Sequence, residues 1–158
     1  QRELGKDFRS FADGLRAVYV EVSRGSEAGQ YPDIGTHRAV LDSSVGRALF
    51  VGMSKQDRAS VLNQLCLNEP GRAEELRQSA RDALSDYERY GVCMTADLVI
   101  PGWSALAIPL KGLSGRKLAL SLGLPTGSVP TGQMLPVAGA ALTAAEARIA
   151  LAFKALSD

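Results

Sequence analysis

The chain is poor in the residues from which small domains build covalent or metal-centred function. Its 158 residues hold one His, two Cys and one Trp, and aromatic residues make up only 6%. Cys66 and Cys93 are too few for a disulfide scaffold and fit a reducing compartment, and the lone His37 cannot supply a multi-histidine metal site. An excess of either charge is missing too: 18 Lys+Arg against 17 Asp+Glu leave a net charge of +1. Direct binding to nucleic acid or to an anionic membrane therefore has no bulk electrostatic drive. No unbroken run of about 18 apolar residues occurs, which argues against a membrane span. Gly-x-Gly-x-x-Gly, Walker and Gly-x-Ser-x-Gly motifs are all absent, removing the simplest nucleotide-binding and hydrolase readings.

What is present describes one globular domain over residues 1–158, with 46% hydrophobic residues, 22% charged residues and a mean hydropathy of −0.01. The charge is unevenly spread. Residues 1–98 carry 13 basic and 15 acidic side chains, whereas residues 99–139 carry only Lys111, Arg116 and Lys117. Buried structure is expected in that second stretch. The chain opens at Gln1-Arg2 and runs straight into an apolar pattern, which reads as a fragment lacking an upstream domain; a cytoplasmic location is expected.

Leu4, Phe8 and Phe11 predict a helix over 2–12 ending at Asp13-Gly14. Leu15–Ser23 predicts a half-buried strand with Val18, Val20 and Val22 on one face and Tyr19 and Glu21 on the other. Residues 24–37 read as a Gly-rich connection closing on a short strand. Asp42 or Ser43 caps a helix through Val45, Leu49 and Phe50, with Gly46 letting its first turn lie against another backbone. Ser54-Lys-Gln-Asp57 resembles a capping box for a second helix. Leu76, Ala80, Leu84 and Tyr87 give a third, stopped at Gly91. Gly91–Thr95, Trp103–Leu110 and Lys117–Leu124 are strands, the last two joined by a hairpin turn at 111–115 and central enough to be covered on both faces. Residues 125–139 are expected to be loop with at most one helical turn, and Thr143-Ala-Ala-Glu146 a capping box opening a last helix with Ile149, Ala150, Phe153 and Leu156 buried. The class is α+β, a mainly antiparallel sheet covered by helices.

Candidate chemistry is thin. His37 lies in the Gly-rich connection beside Arg38, and the two thiols fall on apolar positions of a helix and a strand. Glu74-Glu75 and Asp82 with Asp86 are solvated helical pairs rather than an acid–base dyad. What survives is a sheet whose interior polar residues are small hydroxyls, Ser43, Ser44, Thr95, Ser104 and Ser121, suited to orienting a ligand.

Two stretches together resemble a known family. Val40-Leu-Asp-Ser-Ser-Val-Gly-Arg-Ala-Leu-Phe50 is similar to the segment that IclR-family bacterial transcription regulators write roughly as Leu-His-Ala-Thr-Ala-x-Gly-Lys-Ala-Leu-Leu-Ala. Tyr90–Leu110 resembles the family's Arg-Gly-Tyr-Ala-x-Asp-x-Glu-x-x-x-Gly-x-x-x-x-Ala-x-Pro-Val, and Ala119–Pro125 its Ala-Leu-Ser-Val-Ser-Gly-Pro. The resemblance implies a GAF-like effector-binding domain, with the N-terminal winged helix-turn-helix domain absent from the chain. It implies a pocket drawn from Ser43, Ser44, Val45, Thr95, Trp103, Ala105, Leu106, Ser121 and Gly123, with no catalytic residue, metal or cofactor. The family's His-Ala is Leu41-Asp42 here, its acidic position is Thr95, and its last Ser is Gly123, and most of these changes remove polarity or charge. A partly apolar, even aromatic, effector is expected, with Trp103 placed to stack on a ring.

The implied function is ligand sensing and oligomerisation without catalysis. The expected partners are a small-molecule effector, DNA only through the absent domain, a second or further copies of the chain as homodimer or homotetramer, and no membrane. Helix 72–90 and the low-charge strands are candidates for the dimer contact. The resemblance also places a strand where only Asp13-Gly14 stand, so residues are expected to be missing there. The alternative is a small α+β enzyme using Thr95, Asp97 or Ser121.

Overall fold

The computed structural model describes residues 2–5, 15–23, 32–111 and 117–157. Its centre is a sheet of six strands: β1 (Arg2–Gly5), β2 (Arg16–Ser23), β3 (His37–Ala39), β4 (Cys93–Ala96), β5 (Trp103–Leu110) and β6 (Leu118–Pro125). The spatial order is β3-β2-β1-β6-β5-β4 and every pair is antiparallel. The expected α+β class and the central position of the two apolar strands are both observed. Residues 112–116, where the hairpin turn was expected, lie outside the described residues, as do 24–31 of the Gly-rich connection.

The beginning of the chain departs from expectation. Arg2–Gly5 is a strand between β2 and β6 rather than the start of a helix, and residues 6–14 lie outside the described residues. Ladder hydrogen bonds on both sides outweigh the weak helical period of Leu4, Phe8 and Phe11. With β1 in that place, the unpaired edge that argued for missing residues near Asp13-Gly14 does not arise.

Helix α1 (Ser44–Val51) starts at Ser43, whose hydroxyl accepts the Gly46 N–H at 3.0 Å. Asp42, the other candidate cap, instead takes the Arg72 guanidinium at 2.9 Å. A Cβ on Gly46 would overlap the Val40 backbone carbonyl, so glycine is required where the two backbones meet. Helix α2 (Lys55–Asn68) is capped by Ser54 accepting the Asp57 N–H at 3.0 Å. Helix α3 (Ala73–Tyr90) ends on Gly91 in the left-handed conformation, φ 71°, as the sequence predicts. Its buried positions are Leu76, Ala80 and Ala83, and Leu84 faces outward.

The sheet separates two cores. On one face Ala17, Tyr19, Cys93, Ala107 and Ala119 meet α1, α2 and α3; on the other Leu106, Ile108, Leu110 and Leu120 meet the C-terminal helix through Ala138 and Leu142. The face expected to turn Tyr19 outward is therefore a core face, because α1 packs against it.

The largest correction concerns residues 125–157. Helix α4 (Thr131–Met134) runs through a π-turn at Leu135–Gly139 directly into α5 (Ala140–Ser157). Pro136 is the second residue of the π-turn, inside the continuous helix, where the α-helical ladder is already interrupted and its ring and missing N–H are accommodated. Thr143 is consequently no cap: its hydroxyl donates back to the Gly139 carbonyl at 3.0 Å. Nor is the expected apolar face fully buried, since Ala150 is exposed and Phe153 is 40% exposed. The span Gly132–Ala155 is long and apolar enough, by length and composition, to cross a membrane, which the search for an unbroken apolar run missed because Glu146 and Arg148 interrupt it.

Candidate functional site

The sheet face that carries α1 is covered only in its middle. Strand register places Cys93, Ala107 and Ser121 in one row across β4, β5 and β6, and two residues further on Thr95, Ala105 and Gly123 in another. The first row is buried beneath the helices, while the second is the floor of a small, solvent-open cleft of about 30 Å³ where α1 begins. Two of its three floor residues are Ala and Gly, and the missing side chains are what make the space. Ser44, the first residue of α1, and the apolar Trp103, Val99 and Ile100 form its walls; Tyr19, Pro32 and Ser104 complete the lining.

Ser44 is 2% exposed, and neither its hydroxyl nor that of Thr95 finds a hydrogen-bond partner in the described chain. The lining holds no charged side chain among the described residues. An apolar body with one or two oxygen or nitrogen groups matches such a surface.

Of the nine residues expected at the pocket, Ser44, Thr95, Trp103, Ala105 and Gly123 line this cleft. The others are elsewhere. Ser43 is fully buried as the α1 cap, Val45 sits in the core beside it, and Ser121 lies in the covered row. Leu106 points into the opposite core, since neighbouring strand residues face opposite sides. Tyr19, Pro32, Val99 and Ile100 were missed by sequence reading. Alternation could have found Tyr19 once both faces were known to be covered; nothing local marks Pro32, Val99 or Ile100.

The loop between β4 and β5 holds Val99 and Ile100 over the cleft. Asp97 adopts a positive φ of 53°, and its carboxylate accepts the Gly102 N–H at 2.6 Å. It is thus engaged in the turn. Ser121 is covered, and His37 is exposed at the far strand β3, where its Nδ1 lies 3.2 Å from Arg16. Burial first, and then the Asp86 charge, push the Cys93 thiol up to about 12, so it remains protonated and unreactive. No nucleophile meets a base among the described residues.

Behind the cleft stands Arg47. Its guanidinium donates to the Leu41 carbonyl (Nε, 3.3 Å), the Met94 carbonyl (Nη1, 3.3 Å) and the Ser79 hydroxyl (Nη2, 2.8 Å). Asp86 faces the same group; burial raises its carboxyl above the ordinary carboxylate range and the Arg47 charge opposes that rise.

No protein-family model matches the chain, and no curated protein matches it in sequence. Solved structures do. An IclR-family transcriptional regulator from Brucella abortus superposes with a TM-score of 0.82 at 25% identity, over 96% of this chain and 55% of that one. The effector domain of the putative regulator IclR from Acinetobacter sp. ADP1 gives 0.67 at 12% identity, over 93% and 83%. An IclR homologue from Microbacterium hydrocarbonoxydans, complexed with 4-hydroxybenzoate, gives 0.70 at 17% identity, over 98% and 60%. The chain thus spans little more than half the length of the first of these and 60% of the last. Its fold is that of a transcription regulator's effector domain. The regulators concerned are those of the IclR family, the family that Val40–Phe50 and Tyr90–Leu110 resemble.

Proposed function

We propose that this chain is the ligand-sensing and oligomerising domain of an IclR-like transcription regulator, acting in the cytoplasm without catalysis. Its effector is a small, partly apolar organic molecule seated between Ser44 and Thr95 against Trp103. The observation that carries this reading is the open Thr95-Ala105-Gly123 row, a floor built from small residues in an effector-domain fold. The 4-hydroxybenzoate held by the Microbacterium hydrocarbonoxydans homologue supports a ligand of this partly apolar character. A molecule that binds one arrangement of the domain better than another shifts the population, and with it the placement of attached DNA-binding domains and their operator affinity. DNA contact belongs to a winged helix-turn-helix domain outside residues 1–158. Assembly as a homodimer or homotetramer belongs to the same reading; the middles of β5 and β6 are covered on both faces, which favours helix 72–90 over those strands for the contact.

Thermal-shift titration tests this reading with aliphatic acids, aromatic acids including 4-hydroxybenzoate, and neutral aromatics. A saturable rise in Tm for one class is expected, as binding to the native state alone stabilises it by mass action. Ala105→Leu fills the floor and removes that rise. A ligand response that survives Ala105→Leu places binding elsewhere, and turnover of a bound compound would favour the enzyme reading.

A further inference from the structure

Arg47 joins three elements that the cleft depends on, and it does so from behind. Its Nε donates to Leu41, in the segment that leads into α1; its Nη1 donates to Met94, the residue before Thr95 on the edge strand β4; its Nη2 donates to Ser79 on α3. The Ser79 hydroxyl itself donates to the Leu41 carbonyl at 3.3 Å, which closes a ring of contacts. Ser44 lies three residues before Arg47, one helical turn away on the same face.

A guanidinium is a rigid planar fork, so its donors cannot adjust independently when their acceptors move. Ser44 on α1 and Thr95 on β4 line the same cleft, so a change in the gap between the two elements changes the separation of these two residues. Any change in that gap alters the angle at which Nη1 meets Met94, and Nη2 turns with it against Ser79. Resting on the effector reading above, we propose that Arg47 is a positioning residue: it sets the Ser44–Thr95 separation and carries a change in it to α3. The outer face of α3, lined by exposed Glu74, Arg77, Arg81 and Asp82, then receives what happens in the cleft. Linkage requires the reverse as well, so cutting the α3 arm alters the cleft.

Trp103 is the only tryptophan in the chain and lines the cleft, so its fluorescence reports the cleft without any ligand. The experiment measures acrylamide quenching of Trp103, together with Tm, in the whole chain and three variants. Arg47→Lys keeps the charge and loses the fork; Ser79→Ala cuts both links from α3, the one to Arg47 and the one to the Leu41 carbonyl, and leaves the fork on Leu41 and Met94 in place. Arg58→Met is the control, because Arg58 donates to the Val51 and Met53 carbonyls at the other end of α1. Quenching is expected to rise about twofold for Arg47→Lys and less, in the same direction, for Ser79→Ala, the low end of couplings carried through contiguous side-chain networks. Arg58→Met is expected to lower Tm with quenching unchanged. The proposal is overturned if Arg58→Met raises quenching as much as Arg47→Lys, or if Arg47→Lys leaves it unchanged. A rise for Arg47→Lys with none for Ser79→Ala overturns the transmission to α3. Titration of the unmodified chain with 4-hydroxybenzoate and neutral aromatics decides the effector reading separately, because the quenching result needs no ligand.

Discussion

Single atoms decide several features of this domain. Gly46 has no room for a methyl group beside the Val40 carbonyl, so Gly46→Ala must move either α1 or the segment before it. Urea denaturation is expected to find a loss of about 1–3 kcal/mol, the range for overpacking a close contact. Ser43→Ala removes the α1 cap and is expected to cost about 1 kcal/mol in the same measurement. Cys93 is a thiol whose proton is held by burial beyond its ordinary value of 9.0. The unfolded chain releases that proton first, so the favourable contribution is whole below pH 9 and is lost as the pH climbs towards about 12. Iodoacetamide at pH 8.5 should leave Cys93 unmodified until the chain unfolds, as peptide mass mapping would show. Labelling of Cys93 in the native state would mean that the α1 side of β4 opens.

At the level of elements, the C-terminal helix carries most of the surprise. Leu142 is 3% exposed against the sheet and Leu151 is 69% exposed. Leu142→Ala is expected to cost on the order of 3 kcal/mol, and Leu151→Ala to stay within about 0.5 kcal/mol. Equal costs at the two positions would show that the outer face is packed in solution. The π-turn at Leu135–Gly139 sets which face meets the sheet, since removing one residue there turns everything downstream by about 100°. Sequence reading succeeded wherever a local signal agreed with the packing: Ser54 before Asp57, Gly91 after Tyr90, the apolar run Trp103–Leu110. It failed where a local signal was overruled. Three prolines and three glycines in 125–139 suggested loop, yet the sheet's outer face stabilises a helix there and the π-turn absorbs Pro136. Half of the cleft was legible through the family resemblance, which marks Thr95, Ala105 and Gly123 but also Leu106, a neighbour that alternation turns to the opposite core. Val99 and Ile100 were not, because a loop held by Asp97 has no period to read.

For the whole molecule, the sheet is the shared wall between two cores, and α4 through α5 is the sole helical cover of its outer side among the described residues. A chain ending at Pro130 would bare Leu106, Ile108, Leu110 and Leu120, and is expected to bind a hydrophobic dye and lose its cooperative thermal transition. Retention of a sharp transition would mean that the α1 side folds alone. The position of β1 bears on how the wall is put together. Within the sheet, among the described residues, β2–β3 and β4–β5–β6 are joined through Arg2–Gly5, which lies against Ser23–Tyr19 on one side and Ser121–Ala119 on the other. During synthesis the earliest of these strands must therefore wait, half partnered, while more than a hundred residues emerge before its second neighbour exists. Joining the sheet is a late, long-range closure, and it is at this seam that slow refolding and off-pathway pairing between chains are to be expected.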